Sequence, residues 1–260
     1  MTPGQTQDWN PEAYERFRGL RLQPALDLLA RVGPVPDGSI VDLGCGAGVM
    51  AGALRQRYPD RPLIGIDNSQ TMLEKAAPTG EYAELQAADV SDWQPGSPPA
   101  MIYSNAALQW LGDHTALMPR LAAMLAPGGV LAVQMPHQNP AASHIGWGTA
   151  FQRLFPNKVP QDSPGILPAE NYFDLLSDLG ELNLWQTEYV QHLAASPEGH
   201  PVRHFTQSTY ARPYLLSLDQ DDQQRLIAAY ESDIAQAYPL RSDGTCLMPF
   251  RRLFFTLRVA

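Results

Sequence analysis

The sequence has little cysteine, with Cys45 and Cys246 among 260 residues. Two cysteines this far apart are too few for a disulfide framework or a zinc set, so no metal is expected. No apolar run approaches the roughly 18 residues of a membrane-spanning helix, and residues 1–10 lack the basic and apolar segments of a secretory signal. We therefore expect a cytoplasmic protein with no membrane partner.

Basic residues are also scarce, because 18 Lys and Arg against 27 Asp and Glu give a formal net charge of −9. The arginines are scattered and do not form a stripe, so the field of the protein repels a polyanion over most of its surface. Nucleic acid is accordingly not an expected partner. A small anionic substrate remains compatible, because a few arginines inside a cleft can outweigh a distant negative surface.

Apolar runs and amphipathic segments alternate regularly through the first half of the chain. The runs predict buried strands of a parallel sheet at 40–43, 63–66, 101–104 and 130–135, and helical spacing lies between them at 49–57, 69–76 and 113–125. A short third strand is expected near Leu85. This order predicts an α/β fold with a Rossmann-like, doubly wound, mostly parallel seven-stranded sheet, whose ligands bind beyond the carboxyl ends of the strands.

Two later segments leave this pattern. Prolines are frequent over 136–168, which we interpret as a long irregular excursion without a crossover helix. A helix over 169–179 and a strand over 182–190 return to the core, and a strand over 253–259 ends it. The predicted parts are an N-terminal helical cap at 1–36, which includes a helix around 14–32, a Rossmann-like cofactor-binding half at 37–135, a lid insertion at 136–168, a return helix and strand at 169–193, a helical lid insertion at 194–250 and a final strand at 251–260.

A glycine-rich loop, Gly44-Cys45-Gly46-Ala47-Gly48, joins the first strand to the first helix. Glycine lets the backbone approach a ligand and adopt positive φ. The dinucleotide fingerprint needs another glycine at position 49, where the chain has Val49, so no pyrophosphate cradle is present. Asp42, just before the loop, places a negative charge where a cationic amino-acid group can bind. A cofactor with a methionine end fits this better than a nicotinamide dinucleotide.

The following strand ends supply the parts of an adenosine site. Asp67 ends the second strand and can accept both ribose hydroxyls, while Asp89 and Val90 offer a carboxylate and an apolar wall to an adenine. Asn105 follows the fourth strand on the same face. Cys45 is interpreted as a small filler, not a nucleophile. The predicted cofactor-binding residues are Asp42, Gly44, Cys45, Gly46, Gly48, Asp67, Asn68, Met72, Asp89, Val90 and Asn105.

The glycine loop and the strand end at Asp67 resemble the class I S-adenosylmethionine-dependent methyltransferases. Over nearly the full length the chain is similar to the trans-aconitate methyltransferases within that family, and the segments that carry this likeness are 8–11, 28–32, 104–110, 129–136, 212–213, 238–240 and 252–254. The resemblance implies S-adenosylmethionine as cofactor, S-adenosylhomocysteine as product, no metal, and esterification of a carboxylate of a small polycarboxylic acid, with trans-aconitate as the first candidate.

Departures from the family pattern fall mainly in the expected lid. Gln23 stands where the family has an arginine, His137 and Gln138 replace an Asp-Asn pair, and Tyr210 fills a glycine position. These changes leave the true acceptor and the methylated carboxylate open. The altered pocket also fits a methyltransferase for another small acid or a malonyl thioester, and a non-catalytic S-adenosylmethionine-binding protein is a further alternative. The oligomeric state is not predicted.

A carboxylate acceptor is already ionised near neutral pH, since its reference pKa is roughly 4. No general base is then required, and we expect no catalytic residue beyond those that position the reactants. His114 is expected to be a surface or capping residue. The expected substrate site combines anchoring arginines with aromatic walls: Arg21, Arg212, Arg252, Tyr14, Trp110 and Tyr172. Surface ion pairs are the alternative role for each arginine.

Overall fold

The computed structural model describes residues 18–160, 165–207 and 209–260, with the side chains from Leu22 onward. The chain divides into two compact units. Unit 1 comprises the residues up to Met135 together with Ile166–Gln186 and Leu253–Ala260, and unit 2 comprises Pro136–Gly165 and Thr187–Arg252. No helix within these described ranges is both long and apolar enough to cross a bilayer.

The first half of the chain alternates strands and helices, as the apolar pattern predicts. Its elements are α1 (Arg18–Arg31), β1 (Ile40–Leu43), α2 (Ala51–Arg57), β2 (Leu63–Asp67), α3 (Gln70–Ala76), β3 (Glu84–Ala87), β4 (Met101–Asn105), α4 (His114–Ala123) and β5 (Val130–Pro136). The remaining elements are α5 (Ala142–Leu154), α6 (Ala169–Leu176), β6 (Gly180–Leu193), α7 (Pro201–Gln207), α8 (Arg212–Leu215), α9 (Gln220–Ala237) and β7 (Cys246–Val259).

The strands form one seven-stranded mixed sheet in the order β3-β2-β1-β4-β5-β7-β6. The pairs β1–β2, β1–β4, β2–β3 and β4–β5 are parallel, with Val41 opposite both Ile64 and Ile102. The chain builds outward from β1 to β3 and then returns to place β4 on the other side of β1. This strand order confirms the predicted Rossmann-like fold. Ligands of doubly wound sheets bind at such a switch point, so we expect a ligand site at the carboxyl ends of β1 and β4.

The core of unit 1 explains why its strands are continuous apolar runs. Strand β1 is buried along its whole length because helices cover both faces of a parallel sheet. Helix α4 buries Leu117, Met118 and Leu121 in the same cluster as Val41 and Leu131. Each such side chain contributes about 1.5–3 kcal/mol when it is fully removed from water.

Unit 2 corrects the prediction of an irregular excursion over 136–168, because α5 lies within it. The prolines of this segment fall outside the helix, while Trp147, Ala150 and Phe151 recur at helical spacing and are buried. The Trp147 ring stacks on Tyr230 of α9 at 3.9 Å between centroids, and its Nε1 donates to Thr206 Oγ1 at 2.9 Å. The assignment of 136–168 and 194–250 to a lid stays a prediction.

The last two strands are longer than predicted. Strand β6 spans Gly180–Leu193, where 182–190 was expected, and β7 spans Cys246–Val259, where 253–259 was expected. The added residues of β7 alternate between buried and exposed, with Cys246, Met248 and Phe250 buried. Such alternation with a period of two residues is typical of a half-buried strand. It is a weaker sequence signal for a strand than a continuous apolar run, so the sequence predicts only part of β7.

Candidate functional site

A cavity of about 920 Å³ lies in unit 1, at the carboxyl ends of β1, β2 and β4. Its volume is within the usual range of small-molecule sites. Ten of the eleven predicted cofactor-binding residues line it: Asp42, Gly44, Cys45, Gly46, Asp67, Asn68, Met72, Asp89, Val90 and Asn105. The structure therefore brings together residues that are up to 63 positions apart in the chain, as Asp42 and Asn105 are.

The glycine loop places its backbone directly against this cavity. The amides of Gly44 and Cys45 donate to the Ile66 carbonyl at 2.8 and 2.9 Å, which holds the loop over the end of β2. Gly44 has φ 76°, and a Cβ there would lie 2.2 Å from the Cβ of Ala107. Gly46 has φ 53°, and a Cβ there would meet no atom within 4 Å. Glycine is favoured at this position because of the positive φ, since there is space for a side chain.

Gly48 is the predicted cofactor residue that does not line the cavity. A Cβ at Gly48 would lie 3.2 Å from the Tyr82 ring, and a Cβ at Gly65 would lie 2.9 Å from the same ring. Both glycines therefore make room for Tyr82. Sequence reasoning missed Tyr82, although an isolated glycine inside a strand, as Gly65 is in β2, indicates close approach of another group.

Asp67 connects the glycine loop to the start of α3. Its Oδ2 accepts from the Gly46 amide at 2.8 Å, and its Oδ1 accepts from the Ser69 amide at 2.9 Å. Ser69 in turn caps α3 by accepting from Met72 N at 3.4 Å. Each carboxylate oxygen has a further lone pair, so Asp67 can still accept from ligand hydroxyls.

Asp42 is a buried carboxylic acid at the end of β1. The Tyr82 hydroxyl donates to its Oδ2 at 2.6 Å. Burial raises the pKa of Asp42 to about 7; the Tyr82 hydrogen bond opposes the rise and the nearby Asp67 carboxylate adds to it. A cation beside Asp42 would favour its ionised form.

The charge of the cavity wall is negative. Four described lining residues are acidic, Asp42, Asp67, Glu74 and Asp89, while Lys75 is basic. A site of this sign attracts a positively charged ligand. Burial raises the pKa of the Cys45 thiol well above its usual range, so this thiol stays protonated beside the cavity. Among the described residues, no cluster of three or more His, Cys, Asp and Glu side chains is placed to bind a metal.

Uncharged residues after β4, including Ala107, Trp110 and Leu111, also line the cavity. Trp110, a predicted substrate residue, ends a short 3-10 turn, Leu108–Trp110, and is 37% exposed. Tyr172, another predicted substrate residue, is fully buried in the core of unit 1 and does not line the cavity.

His114 corrects a further prediction, because it is buried and not at the surface. Its Nε2 lies 2.9 Å from the Leu108 carbonyl and its Nδ1 lies 2.5 Å from the Tyr172 hydroxyl. Burial lowers the pKa of His114, and a neutral ring donates through Nε2 and accepts from Tyr172 through Nδ1. The capping role belongs to Asp113, which accepts from Ala116 N at 3.3 Å. His114 thus ties the turn that carries Trp110 to the core.

Two of the predicted anchoring arginines, Arg212 and Arg252, are not among the residues that line this cavity. Arg212 begins α8 of unit 2, and Arg252 is the last residue of unit 2 and 3% exposed. The Arg252 guanidinium carbon lies 4.5 Å from the centroid of the Phe250 ring. Tyr14 and the side chain of Arg21 lie outside the described residues. The substrate roles of these four residues stay predictions.

The residues that depart from the family pattern make local contacts. Gln138 donates to the Pro249 carbonyl at 2.7 Å and accepts from Arg251 N at 2.8 Å, which joins two segments of unit 2. Tyr210 packs on His144 at 4.2 Å between ring centroids. Gln23 donates to Asp27 one helical turn later, at 2.7 Å.

Comparison with known proteins agrees with this geometry. Residues 14–210 match the profile of a family described as a methyltransferase domain. The chain is 38% identical over 253 residues to the trans-aconitate 2-methyltransferase of Klebsiella pneumoniae (strain 342), covering 96% of this chain and 98% of that protein. It is 38% identical over 258 residues to the protein of the same name from Yersinia pestis (strain Pestoides F), covering 95% and 97%.

Solved structures show the same fold at low sequence identity. The YcgJ protein of Bacillus subtilis is 12% identical with a TM-score of 0.60, covering 92% of this chain and 99% of that one. Phosphoethanolamine N-methyltransferase 2 of Haemonchus contortus, in complex with phosphomonomethylethanolamine and S-adenosylhomocysteine, is 17% identical with a TM-score of 0.57, covering 99% and 59%.

Proposed function

The chain belongs to the family of S-adenosylmethionine-dependent methyltransferases that includes the trans-aconitate 2-methyltransferases, and we propose that it esterifies one carboxylate of trans-aconitate. The observation that carries this proposal is the acidic cavity at the switch point of the sheet, lined by the glycine loop and the end of β4. Two relatives that are 38% identical to this chain are named trans-aconitate 2-methyltransferase, and each matches nearly its whole length.

The cavity fits the cofactor in charge and in shape. S-adenosylmethionine has a sulfonium and an ammonium group, which the carboxylates of the wall would stabilise. Open space beside Gly46 lets a ligand approach the backbone of the loop. We assign the methionine end to Asp42 and Gly44, the ribose to Asp67, and the adenine to Asp89 and Val90.

When bound, the cofactor supplies an electrophilic methyl carbon on a sulfonium sulfur. The acceptor carboxylate attacks that carbon in line, so an O–C bond forms while the C–S bond breaks. The electron pair stays on sulfur, and the products are the methyl ester and S-adenosylhomocysteine. No proton has to be removed, because the acid is ionised near neutral pH. The protein contributes the orientation of the reactants and the exclusion of water.

The residues after β4 would orient the acceptor. Trp110 and Leu111 present apolar surface to the cavity, and the His114 bonds to Leu108 and Tyr172 hold the turn that carries Trp110. A carboxylate placed against such a wall loses competing water, which increases its reactivity toward the methyl carbon.

Arg212 and Arg252 would bind the other carboxylates of the acid. Guanidinium groups bind carboxylates bidentately and fix their direction. The burial of Arg252 and its position over Phe250 restrict its rotamers, which suits an anchoring role. Resemblance to the family at 212–213 and 252–254 supports both assignments.

A turnover assay tests the proposal. Purified protein is incubated with S-adenosylmethionine and either trans-aconitate, malonate, citrate, itaconate or a malonyl thioester, and S-adenosylhomocysteine and the ester are quantified. We expect the highest kcat/KM with trans-aconitate. Faster turnover of another acid or of the thioester would identify that compound as the acceptor in place of trans-aconitate. Cofactor binding without turnover of any of these compounds would favour a non-catalytic protein.

A further inference from the structure

Residues 89–93 form a turn after β3, and we call them the adenine segment. Asp89 and Val90 line the cavity and are the residues that we assign to the adenine. The Asp89 carbonyl accepts from the Trp93 amide at 2.9 Å. The Ser91 amide donates to Asp89 Oδ1 at 2.8 Å, and the Ser91 hydroxyl donates to the same atom. These bonds engage Oδ1, so Oδ2 can accept from a ligand amine.

Arg120 of α4 binds the adenine segment without lining the cavity. Its Nη1 donates to the Trp93 carbonyl at 3.0 Å, and its Nη2 donates to the Val90 carbonyl at 2.5 Å. A guanidinium is a planar fork whose nitrogens can donate to two acceptors in a fixed geometry. One side chain therefore fixes two carbonyls of the segment at once.

Apolar contacts join the adenine segment to the same helix. Val90 and Trp93 are 8% and 6% exposed. Both lie in the same core cluster as Leu117 and Leu121 of α4. The Trp93 Nε1 also donates to Gln86 Oε1 at 3.1 Å, which ties the segment back to β3. The adenine segment is therefore attached to both β3 and α4, and the Arg120 bonds add polar contacts to the attachment at α4.

The adenine segment depends on such attachments because it lies between β3 and β4, outside any helix or strand. A loop that becomes ordered only when a ligand binds takes the cost of that ordering from the binding free energy. Bonds that fix the loop in the ligand-free protein remove this cost. They also fix the direction of the groups that contact the ligand, which is what makes a site selective.

We propose that Arg120 is a positioning residue that fixes the adenine segment and thereby gives the cavity its preference for an amino-substituted purine. Asp89 accepts from the exocyclic amine and Val90 packs against the ring, while Arg120 acts through the main-chain carbonyls and does not touch the ligand. This role rests on the proposed function, because it requires the cofactor in this cavity. It does not depend on which acid accepts the methyl group.

Helix α4 supports a second part of the cavity wall through a different residue. The helix begins at His114, whose bond to the Leu108 carbonyl holds the turn that carries Trp110. Arg120 lies six positions later, which is about 9 Å along a helix axis. The two supports are separate side chains, so substitution of Arg120 should change cofactor recognition and leave acceptor recognition intact.

Substitution of Arg120 by methionine tests this role. Arg120→Met keeps much of the apolar stem and removes both bonds to the adenine segment. The probes are S-adenosylhomocysteine and its inosine analogue, in which oxygen replaces the exocyclic amine. The wild type should prefer S-adenosylhomocysteine by about tenfold or more, because Asp89 accepts from the amine. In Arg120→Met this preference should fall to about threefold or less, mainly through weaker binding of S-adenosylhomocysteine.

Kinetics at saturating S-adenosylmethionine separate this effect from a general loosening of α4. Both kcat and KM for trans-aconitate should stay within about twofold of the wild type in Arg120→Met. Arg120→Lys keeps a cationic donor on a similar stem without the planar fork, so it should show an intermediate preference between the two probes. If Arg120→Met does not fold, the preference measured in Arg120→Lys decides in the same way.

Arg258→Met is the matched control. The Arg258 guanidinium also donates to two main-chain carbonyls of unit 1, those of Gly128 at 2.9 Å and Pro34 at 2.6 Å. Arg258 is not among the residues that line the cavity. Its substitution should lower the melting temperature about as much as Arg120→Met does, since each variant loses two bonds of the same kind. It should keep the wild-type preference between the two probes.

Three results would overturn the proposal. The first is a wild-type preference between the probes in Arg120→Met. The second is an equal loss of affinity for both probes or a raised KM for the acid, which would assign Arg120 to the general stability of α4. The third is a wild type that binds both probes equally, since the exocyclic amine would then not be recognised. The predicted preferences without esterification of any acid would refute the proposed esterification alone.

Discussion

The hydroxyl of Tyr82 donates a 2.6 Å hydrogen bond to Oδ2 of Asp42, which lies 40 positions earlier in the chain. The ring reaches this position because Gly48 and Gly65 have no Cβ in its way. Tyr82 thereby orients the carboxylate that we assign to the methionine end of the cofactor. The hydrogen bond lowers the pKa of Asp42 against the larger effect of burial, and the result is a pKa of about 7.

Cofactor binding should depend on pH through Asp42. A cationic ligand prefers the ionised carboxylate, so affinity for S-adenosylmethionine should rise as the pH increases through about 7, with release of a proton on binding. Below that value the affinity should fall by up to about tenfold per pH unit. Calorimetry in buffers of different ionisation enthalpy measures both the affinity and the number of protons released on binding. A flat profile in the wild type, matching that of Asp42→Asn, would exclude the coupling.

The same pKa shift has a consequence for stability. The folded-state pKa of Asp42 is raised above its unfolded value, so the folded protein binds the proton more tightly, and this contribution is lost as the pH rises through about 7. Asp42→Asn should therefore raise the free energy of unfolding of the ligand-free protein at pH 8, by an amount on the order of a few kcal/mol. Urea unfolding at pH 8 and at pH 5 measures this, and a larger gain at pH 5 would contradict it.

Tyr82→Phe should weaken cofactor binding without removing the carboxylate. Loss of the hydroxyl raises the pKa of Asp42 further, so the pH midpoint of binding should move upward and the affinity at pH 7 should fall about tenfold. Tyr58→Phe is the matched control, because the Tyr58 hydroxyl accepts from the exposed Arg57 side chain at 3.2 Å and lies outside the cavity wall. Equal affinities for both variants would show that Tyr82 is not a positioning residue.

His114→Ala should lower stability and acceptor binding together. The substitution removes the bonds to Leu108 and Tyr172 and leaves a buried cavity, which costs roughly 2–4 kcal/mol of unfolding free energy. The turn that carries Trp110 then loosens, so KM for the acid should rise while affinity for S-adenosylhomocysteine is maintained. Tyr172→Phe removes one of the two His114 bonds, and also the bond that the Tyr172 hydroxyl accepts from the Leu167 amide at 3.2 Å, and it should give the same pattern with a smaller amplitude. A selective loss of cofactor affinity would refute this role.

Strands β1 and β5, which lie within the parallel part of the sheet, illustrate what the sequence predicts well. A parallel strand covered on both faces is a continuous apolar run, and the doubly wound order fixes which strand ends converge. For the same reason ten cofactor residues named from strand ends line one cavity.

Contacts between distant segments account for what the sequence did not predict. Asp113-His114 has the pattern of a helix cap, and the partner that buries His114 is Tyr172, 58 positions later. Tyr82 and Asp42 are similarly remote, and Gly65 was the local signal of their contact. Helix α5 was missed because the flanking prolines dominated the composition of 136–168.

Titration of the purified wild-type protein with S-adenosylmethionine, and separately with S-adenosylhomocysteine, tests the assignment of the cavity most directly. We expect a one-to-one complex with each compound, with dissociation constants in roughly the micromolar range. Asp67→Ala should clearly lose affinity, because the Asp67 carboxylate connects Gly46 to Ser69 at the proposed ribose position. An absence of measurable binding of either compound to the folded wild-type protein would contradict the assignment of this cavity as a methyl-donor site.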